Sequence, residues 1–207
     1  MSIVTFYCGD PKNAPKTTQG AHLGGNAILL WQGKLLLERR VDADVWGLPG
    51  GGAKKQETAR QAVSREIYEE LGLRIPGKDF RKLAVYGDPG RIAAYRDGSV
   101  WRMVIVLYGY VFSEKPELRI SRESRELRFF TREEAAGLPM AVTHRDIIGD
   151  WFLNMTEDRW PEAGYLPYIL VKIYRNTKYP CIFRKTVIEC MLTAQYPSQR
   201  DRFPGRA

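Results

Sequence analysis

A chain of 207 residues is long enough for one domain with a sizeable core, or for one domain plus an appendage. Its 44% hydrophobic and 27% charged residues are ordinary for a globular protein, and no apolar run approaches the roughly 18–20 residues of a membrane span. The net charge of +8 suits polyanions such as nucleotides, and it is unevenly placed. Residues 160–207 hold eight Lys and Arg against three Asp and Glu, a net +5, which leaves +3 for the rest. The opening MSIVTFYCGDPKNAPK lacks the basic, apolar and small-residue segments of a secretory signal, so a cytoplasmic location is expected. Three cysteines (Cys8, Cys181, Cys190) with no C-x-x-C, and two histidines (His22, His144), make a poor zinc set; reduced, packed thiols are expected.

Residues 1–19 read as a loose N-terminal arm with a turn-rich GDPKNAPK stretch. From Ala21, the runs AHLGGNAILL and LLLERR flank the short turn WQGK, the pattern of an antiparallel pair. The glycine-crowded loop VDADVWGLPGGG follows. A helix is predicted from Thr58 to Leu71. Thr58 and Gln61 have capping-box spacing, Gly72 is a natural stop, and Ala59, Val63, Ile67 and Leu71 repeat every fourth residue as a buried stripe. RKLAVYGD, SVWRMVIVLYGYVF and ELRFF read as strands. The second is long and apolar on both faces, so it belongs in the middle of a sheet. TREEAAGL and THRDIIGDWFLNM read as helices, and Thr131 and Glu134 repeat the capping-box spacing. Residues 160–207 fit either a hairpin or a strand followed by a helix.

Glu66, Glu69 and Glu70 fall at i, i+3 and i+4 of the predicted helix, so their carboxylates share one face and repel. A hard divalent cation with oxygen ligands would relieve that repulsion. The bland alternative is a solvated acidic surface, and for three glutamates alone it is the commoner meaning.

The glutamates stand in a larger pattern, GGAKKQETARQAVSREIYEELGL. It resembles the Nudix hydrolase box: Gly51, five residues, Glu57, seven residues, then Arg65, Glu66, Ile67, Glu69, Glu70, Gly72 and Leu73. Every specified position matches, which at average residue usage is expected by chance in fewer than about one in a million such chains. The resemblance implies an α/β/α sandwich with a mixed sheet and a loop–helix–loop catalytic motif, in a domain spanning residues 20–159. It implies Mg²⁺ or Mn²⁺ bound by Glu66, Glu69 and Glu70. Arg65 would pair with a box carboxylate, plausibly Glu57, and Gly51 and Gly72 would make room for the turns. A further metal or base carboxylate is expected from SRESRELRFF, with Glu123 preferred over Glu126.

Arg39, Arg40 and Arg102 are candidates for phosphate, Arg40 foremost, with Gly51 also lining the substrate. Trp46, Tyr86, Tyr95 and Trp101 are candidates for stacking on a base, Trp46 foremost, although single aromatics are more often core. His144 has no second histidine nearby and reads as structural. Pro89, 16 residues after Leu73, resembles the mark of ADP-ribose-cleaving members of the family. The expected activity is therefore hydrolysis of a phosphoanhydride in a nucleoside-diphosphate compound, ADP-ribose or a nucleotide sugar first. The alternatives are a nucleoside triphosphate or dinucleoside polyphosphate hydrolase, and a nucleotide-sensing domain whose basic tail binds DNA. A small-molecule nucleotide is the expected partner, without membrane or nucleic acid. Residues 160–207 are an extension suited to forming a homodimer or a lid.

Overall fold

A computed structural model describes residues 4–8, 12–41 and 44–154, with backbone only at 153 and 154. The extension 160–207, with Cys181 and Cys190, lies outside the described residues.

The predicted antiparallel pair is present as β2 (Ala21–Trp31) and β3 (Lys34–Arg40), with Leu30 opposite Leu35. The long apolar run forms β8 (Val100–Phe112), which lies parallel to β2 from Ala21 against Arg102 to Trp31 against Phe112. Two further strands lie antiparallel to β8: β6 (Arg81–Tyr86) and β7 (Ile92–Tyr95). Two short strands shape the glycine loop. β4 (Trp46–Gly47) pairs with β3, and β5 (Gly50–Gly52) pairs with β2. β9 (Ser124–Phe130) lines the far side of β3. One parallel pairing among antiparallel ones makes the sheet mixed.

The N-terminal segment departs from the loose arm read in the sequence. Val4–Phe6 form β1, antiparallel to β7, and extend the sheet. A three-residue strand gives too short a pattern to distinguish it from a loop.

Alternation along the central strands sends side chains to two cores. Ala27, Leu29 and Leu36 pack on one face with Ala59, Val63, Ile67 and Leu71 of α1 (Ala59–Leu71). Ile28, Leu30, Leu35 and Leu37 pack on the other with Ile147, Ile148, Trp151 and Phe152 of α3 (Arg145–Asn154). Coverage on both faces is why β2 is continuously apolar from Ala27 to Trp31 rather than at alternate positions. The short α2 (Arg132–Ala136) closes the second layer, and its Thr131–Glu134 capping box is formed.

α1 is built as its sequence demands. Thr58 accepts the Gln61 N–H, the Gln61 side chain returns the bond, and Gly72 ends the helix in the left-handed region at φ 75°. Thirteen residues make a marginal helix in isolation. Burial of the Val63, Ile67 and Leu71 side chains, each stabilising by about 1.5–3 kcal/mol, holds it to the sheet. That docking fixes where its acidic face points.

Candidate active site

The three helix carboxylates meet three different environments. Glu69 is half exposed, Glu66 is mostly covered, and Glu70 is buried at 5% exposure. A helix that buries one stripe places residues one or two steps around it at the rim of the core. Glu70 falls just inside that rim and Glu69 just outside it.

Arg65 ties the acidic groups together. Its Nε donates to Glu57 Oε1 at 2.9 Å, and one terminal nitrogen donates to Glu57 Oε2 at 3.0 Å and to the Gly52 carbonyl at 3.0 Å. The other terminal nitrogen donates to Glu66 Oε1 at 2.8 Å and to Glu69 Oε2 at 2.9 Å. The two-point bond to Glu57 is the fork geometry only a guanidinium offers. It holds the Glu57 carboxyl down to about 2, helped by the Lys54 backbone N–H. Its carboxylate partners in turn hold the Arg65 guanidinium above its ordinary value, Glu57 most of all.

Glu70 reaches the other way, into the glycine loop. Its Oε2 accepts the Gly50 backbone N–H at 2.8 Å. Burial pushes its carboxyl well above the usual range, and the charge of Glu38 pushes the same way; the Gly50 N–H opposes both. Glu38 is a site residue that the sequence reading missed. It is 2% exposed, it lies two residues from Arg40 on β3, and its Oε1 accepts the Ser124 hydroxyl at 2.6 Å. The available signal was alternation: Leu36 faces α1, so Glu38 follows it to the same side of the strand.

The loop itself is pinned from beneath. The Asn26 side chain donates to the Leu48 and Pro49 carbonyls at 3.3 and 3.4 Å, and the Ala27 N–H donates to Pro49 at 3.0 Å. Gly51 lies close against the Glu66 side chain. A Cβ there would sit 2.7 Å from Glu66 Oε1.

The other sequence candidates scatter. Glu123 is exposed; its loop reaches the site through Ser124 instead, and Glu126 lies 4.0 Å from Arg39. Arg39 is engaged by Asp44 through two bonds. Arg40 is half-buried and close enough to act electrostatically on both Glu70 and His144. Trp46 requires a correction. It is 5% exposed, edge-on to Phe130 with ring centres 4.7 Å apart, so core packing takes the faces a base would need. Tyr86 donates to Asp150 and lies under the Arg91 guanidinium, while Trp101 stands edge-on to His22. Tyr95 lies on β7, half-buried, and Pro89 sits exposed in the Asp88–Arg91 turn. His144, read as structural from the sequence, contacts the glycine loop: its Nδ1 accepts the Leu48 N–H at 3.1 Å. Burial pushes the Cys8 thiol up to about 11.

Glu66, Glu69 and Glu70 offer carboxylate oxygens only, the donor type that hard cations take. Among the described residues no three His, Cys, Asp or Glu side chains stand together as a ready cage. Arg65 holds the oxygens of Glu66 and Glu69 in that arrangement. A divalent cation held there would require those oxygens to turn from Arg65.

A mixed sheet between helices, with an acid-bearing helix fastened to a glycine loop, defines a Nudix-type α/β/α sandwich. The chain belongs to the NUDIX domain family, whose model matches residues 22–152. It is 32% identical over 101 residues to the nucleoside triphosphatase NudI of an Enterobacter species, covering 48% of this chain and 71% of that protein. Several other curated relatives are matched over less than half their length. An RNA pyrophosphohydrolase of Coxiella burnetii, for example, is 47% identical over 57 residues, which is 27% of this chain and 25% of the relative. Among solved structures, a MutT NUDIX hydrolase from Burkholderia pseudomallei superposes with a TM-score of 0.50 at 26% identity, covering 62% of this chain and 96% of that one. The NUDIX domain of Shewanella oneidensis NrtR, solved with ADP ribose, has the same fold at a TM-score of 0.52 and 23% identity, covering 71% and 94%. No helix among the described residues is long and apolar enough to cross a membrane.

Proposed function

We propose that this chain hydrolyses a phosphoanhydride bond in a nucleoside-diphosphate-linked compound, with ADP-ribose or a nucleotide sugar as first substrate and Mg²⁺ or Mn²⁺ as cofactor. The observation that carries this reading is the joining of Glu57, Glu66 and Glu69 through Arg65, with Glu70 bonded to the glycine loop. Glu66, Glu69 and Glu70 would hold the cation, with Glu123 as an outer candidate. Bound there, a divalent cation supplies positive charge against the phosphoryl oxygens and lowers the cost of making a nucleophile from water.

The chain's own groups do the rest. Arg65 fixes the helix relative to Gly52 and Glu57, so the carboxylates stay in register with the loop. Gly50 and Gly51 would let a diphosphate approach the loop backbone without side chains to obstruct it. Arg40, already within the field of Glu70, is positioned to meet phosphate charge. Glu66 Oε2 is a candidate to accept the proton of the attacking water.

The likeness to a nucleoside triphosphatase over 71% of that relative favours a second reading, hydrolysis of a nucleoside triphosphate. A screen of ADP-ribose, nucleotide sugars, dinucleoside polyphosphates and nucleoside triphosphates with Mg²⁺ decides between them. The corresponding nucleoside monophosphate together with a sugar phosphate supports the first reading. Release of pyrophosphate or orthophosphate from triphosphates alone supports the second. No turnover of any of them rejects both. The DNA-binding alternative rests on the +5 of residues 160–207 and predicts salt-sensitive retention on DNA.

A further inference from the structure

Behind the glycine loop, three segments far apart in sequence meet. The Leu48 N–H donates to His144 Nδ1 at 3.1 Å. Two residues earlier, the Trp46 N–H donates to the Pro139 carbonyl at 2.8 Å and its carbonyl accepts the Ala141 N–H at 2.7 Å. Gly47 lets the imidazole come this close, since a Cβ there would stand 2.8 Å from Nδ1. Residues 139–144 thus form a splint along residues 46–48.

Arg91 holds the splint in place. Its side chain is 1% exposed and over the Tyr86 ring, and it donates to the Thr143 carbonyl at 3.0 Å, to Asp88 at 2.8 Å and to Asp146. Thr143 and Asp146 flank His144, so the buried guanidinium fixes the backbone that aims the imidazole. A bond from Leu48 requires a bare Nδ1, hence a neutral ring. Removal from water, reinforced by the Arg40 and Arg91 charges, holds His144 down to about 3, so the ring is neutral throughout the working range.

The loop carries this constraint onward. Pro49, whose ring fixes φ, follows Leu48, and the next residue, Gly50, gives its N–H to Glu70. A tilt of the Leu48 amide therefore passes through one stiff residue to the donor that positions a buried carboxylate. We propose that His144 is a positioning residue for the active site, aligning the Gly50 N–H with Glu70 through the Leu48 amide, with Arg91 as its anchor. Its kinetic part rests on the hydrolase reading above.

The test compares His144→Leu, which removes the acceptor, with His144→Asn, whose side-chain oxygen can take the place of Nδ1. Amide exchange at Leu48, kcat and KM are measured on the full chain. In His144→Leu, Leu48 exchange should quicken by about tenfold or more, and kcat should fall by about 10- to 100-fold with KM nearly unchanged. His144→Asn should restore both. A folded His144→Leu with parental kcat or parental Leu48 exchange overturns the proposal, as does a folded His144→Asn that restores neither. Should His144→Leu not fold, His144→Asn decides alone, together with the nitrogen shifts of the parental imidazole. An unprotonated Nδ1 supports the proposal, and a protonated one overturns it. Should the parent hydrolyse no nucleotide, the hydrolase reading falls, and the exchange and nitrogen measurements still judge the clamp.

Discussion

The Gly50 backbone N–H donates to Glu70 Oε2 at 2.8 Å, so the glycine loop and the acidic helix are fastened to each other. Gly50 can present its N–H there because it adopts φ 124°, and a Cβ at that position would lie 2.2 Å from the Gly25 carbonyl oxygen. Glu70 in turn is held near the loop at the cost of burial beside Glu38.

Replacement of Glu70 or Glu69 by Gln should remove most hydrolysis, by on the order of 10²-fold or more, because each loses a charge meant for the cation. The two variants should differ in stability. Glu70 is a buried acid whose carboxyl is pushed up, so its contribution is full below the ordinary value of 4.5 and declines as pH rises above it. In the metal-free protein, Glu70→Gln should therefore melt higher than the parent at alkaline pH, while Glu69→Gln should melt like the parent. Parental turnover in both variants at saturating Mg²⁺ would reject the metal assignment.

Gly51→Ala should separate activity from folding. The added methyl would press on the end of the Glu66 side chain, which can swing away, so the melting temperature should change little. Hydrolysis should drop by about tenfold or more, since Glu66 no longer faces the loop. Equal activity in this variant would show that Glu66 works from another position.

Arg65→Lys should be harmful although the charge is kept, because an ammonium cannot bond both oxygens of Glu57 while reaching Glu66 and Glu69. Activity and melting temperature should both fall. Its acid denaturation should also change. Glu57 is held down to about 2, so its stabilisation is complete above the ordinary 4.5 and is lost as pH falls from there towards 2. Melting curves across that window should show a shallower acid loss in Arg65→Lys than in the parent.

EDTA should stop hydrolysis, and Mg²⁺ or Mn²⁺ should restore it, because the donors are all oxygens. Calorimetry of Mg²⁺ binding to the parent and to Glu70→Gln checks the same assignment without turnover. Restoration by Zn²⁺ alone would contradict the hard-cation argument.

Local rules written in the chain settled the helix and its edges. A capping box at Thr58 and Gln61, a left-handed stop at Gly72 and a four-residue apolar repeat need only neighbouring residues to act, and the structure contains each of them. The same holds for the β2–β3 turn and for β8, whose two-sided apolar run requires cover on both faces. Helical spacing places Glu66, Glu69 and Glu70 on one face, whereas Arg65 and Glu57 were legible only through the resemblance to the Nudix box.

What the sequence could not decide depends on contacts between distant segments. Glu38 lies in a strand, and only the docking of α1 over that strand makes it a neighbour of Glu70. Trp46 reads as a candidate for stacking until the sheet closes Phe130 against it. Arg91 and His144 look like loop and helix-start residues. They become a buried anchor and a loop acceptor because α3 folds back on the Asp88–Arg91 turn and on Leu48, 96 residues earlier than His144. Hydrogen bonds across such separations leave no periodic trace in the chain, so only the tertiary structure determines which polar residues the site uses.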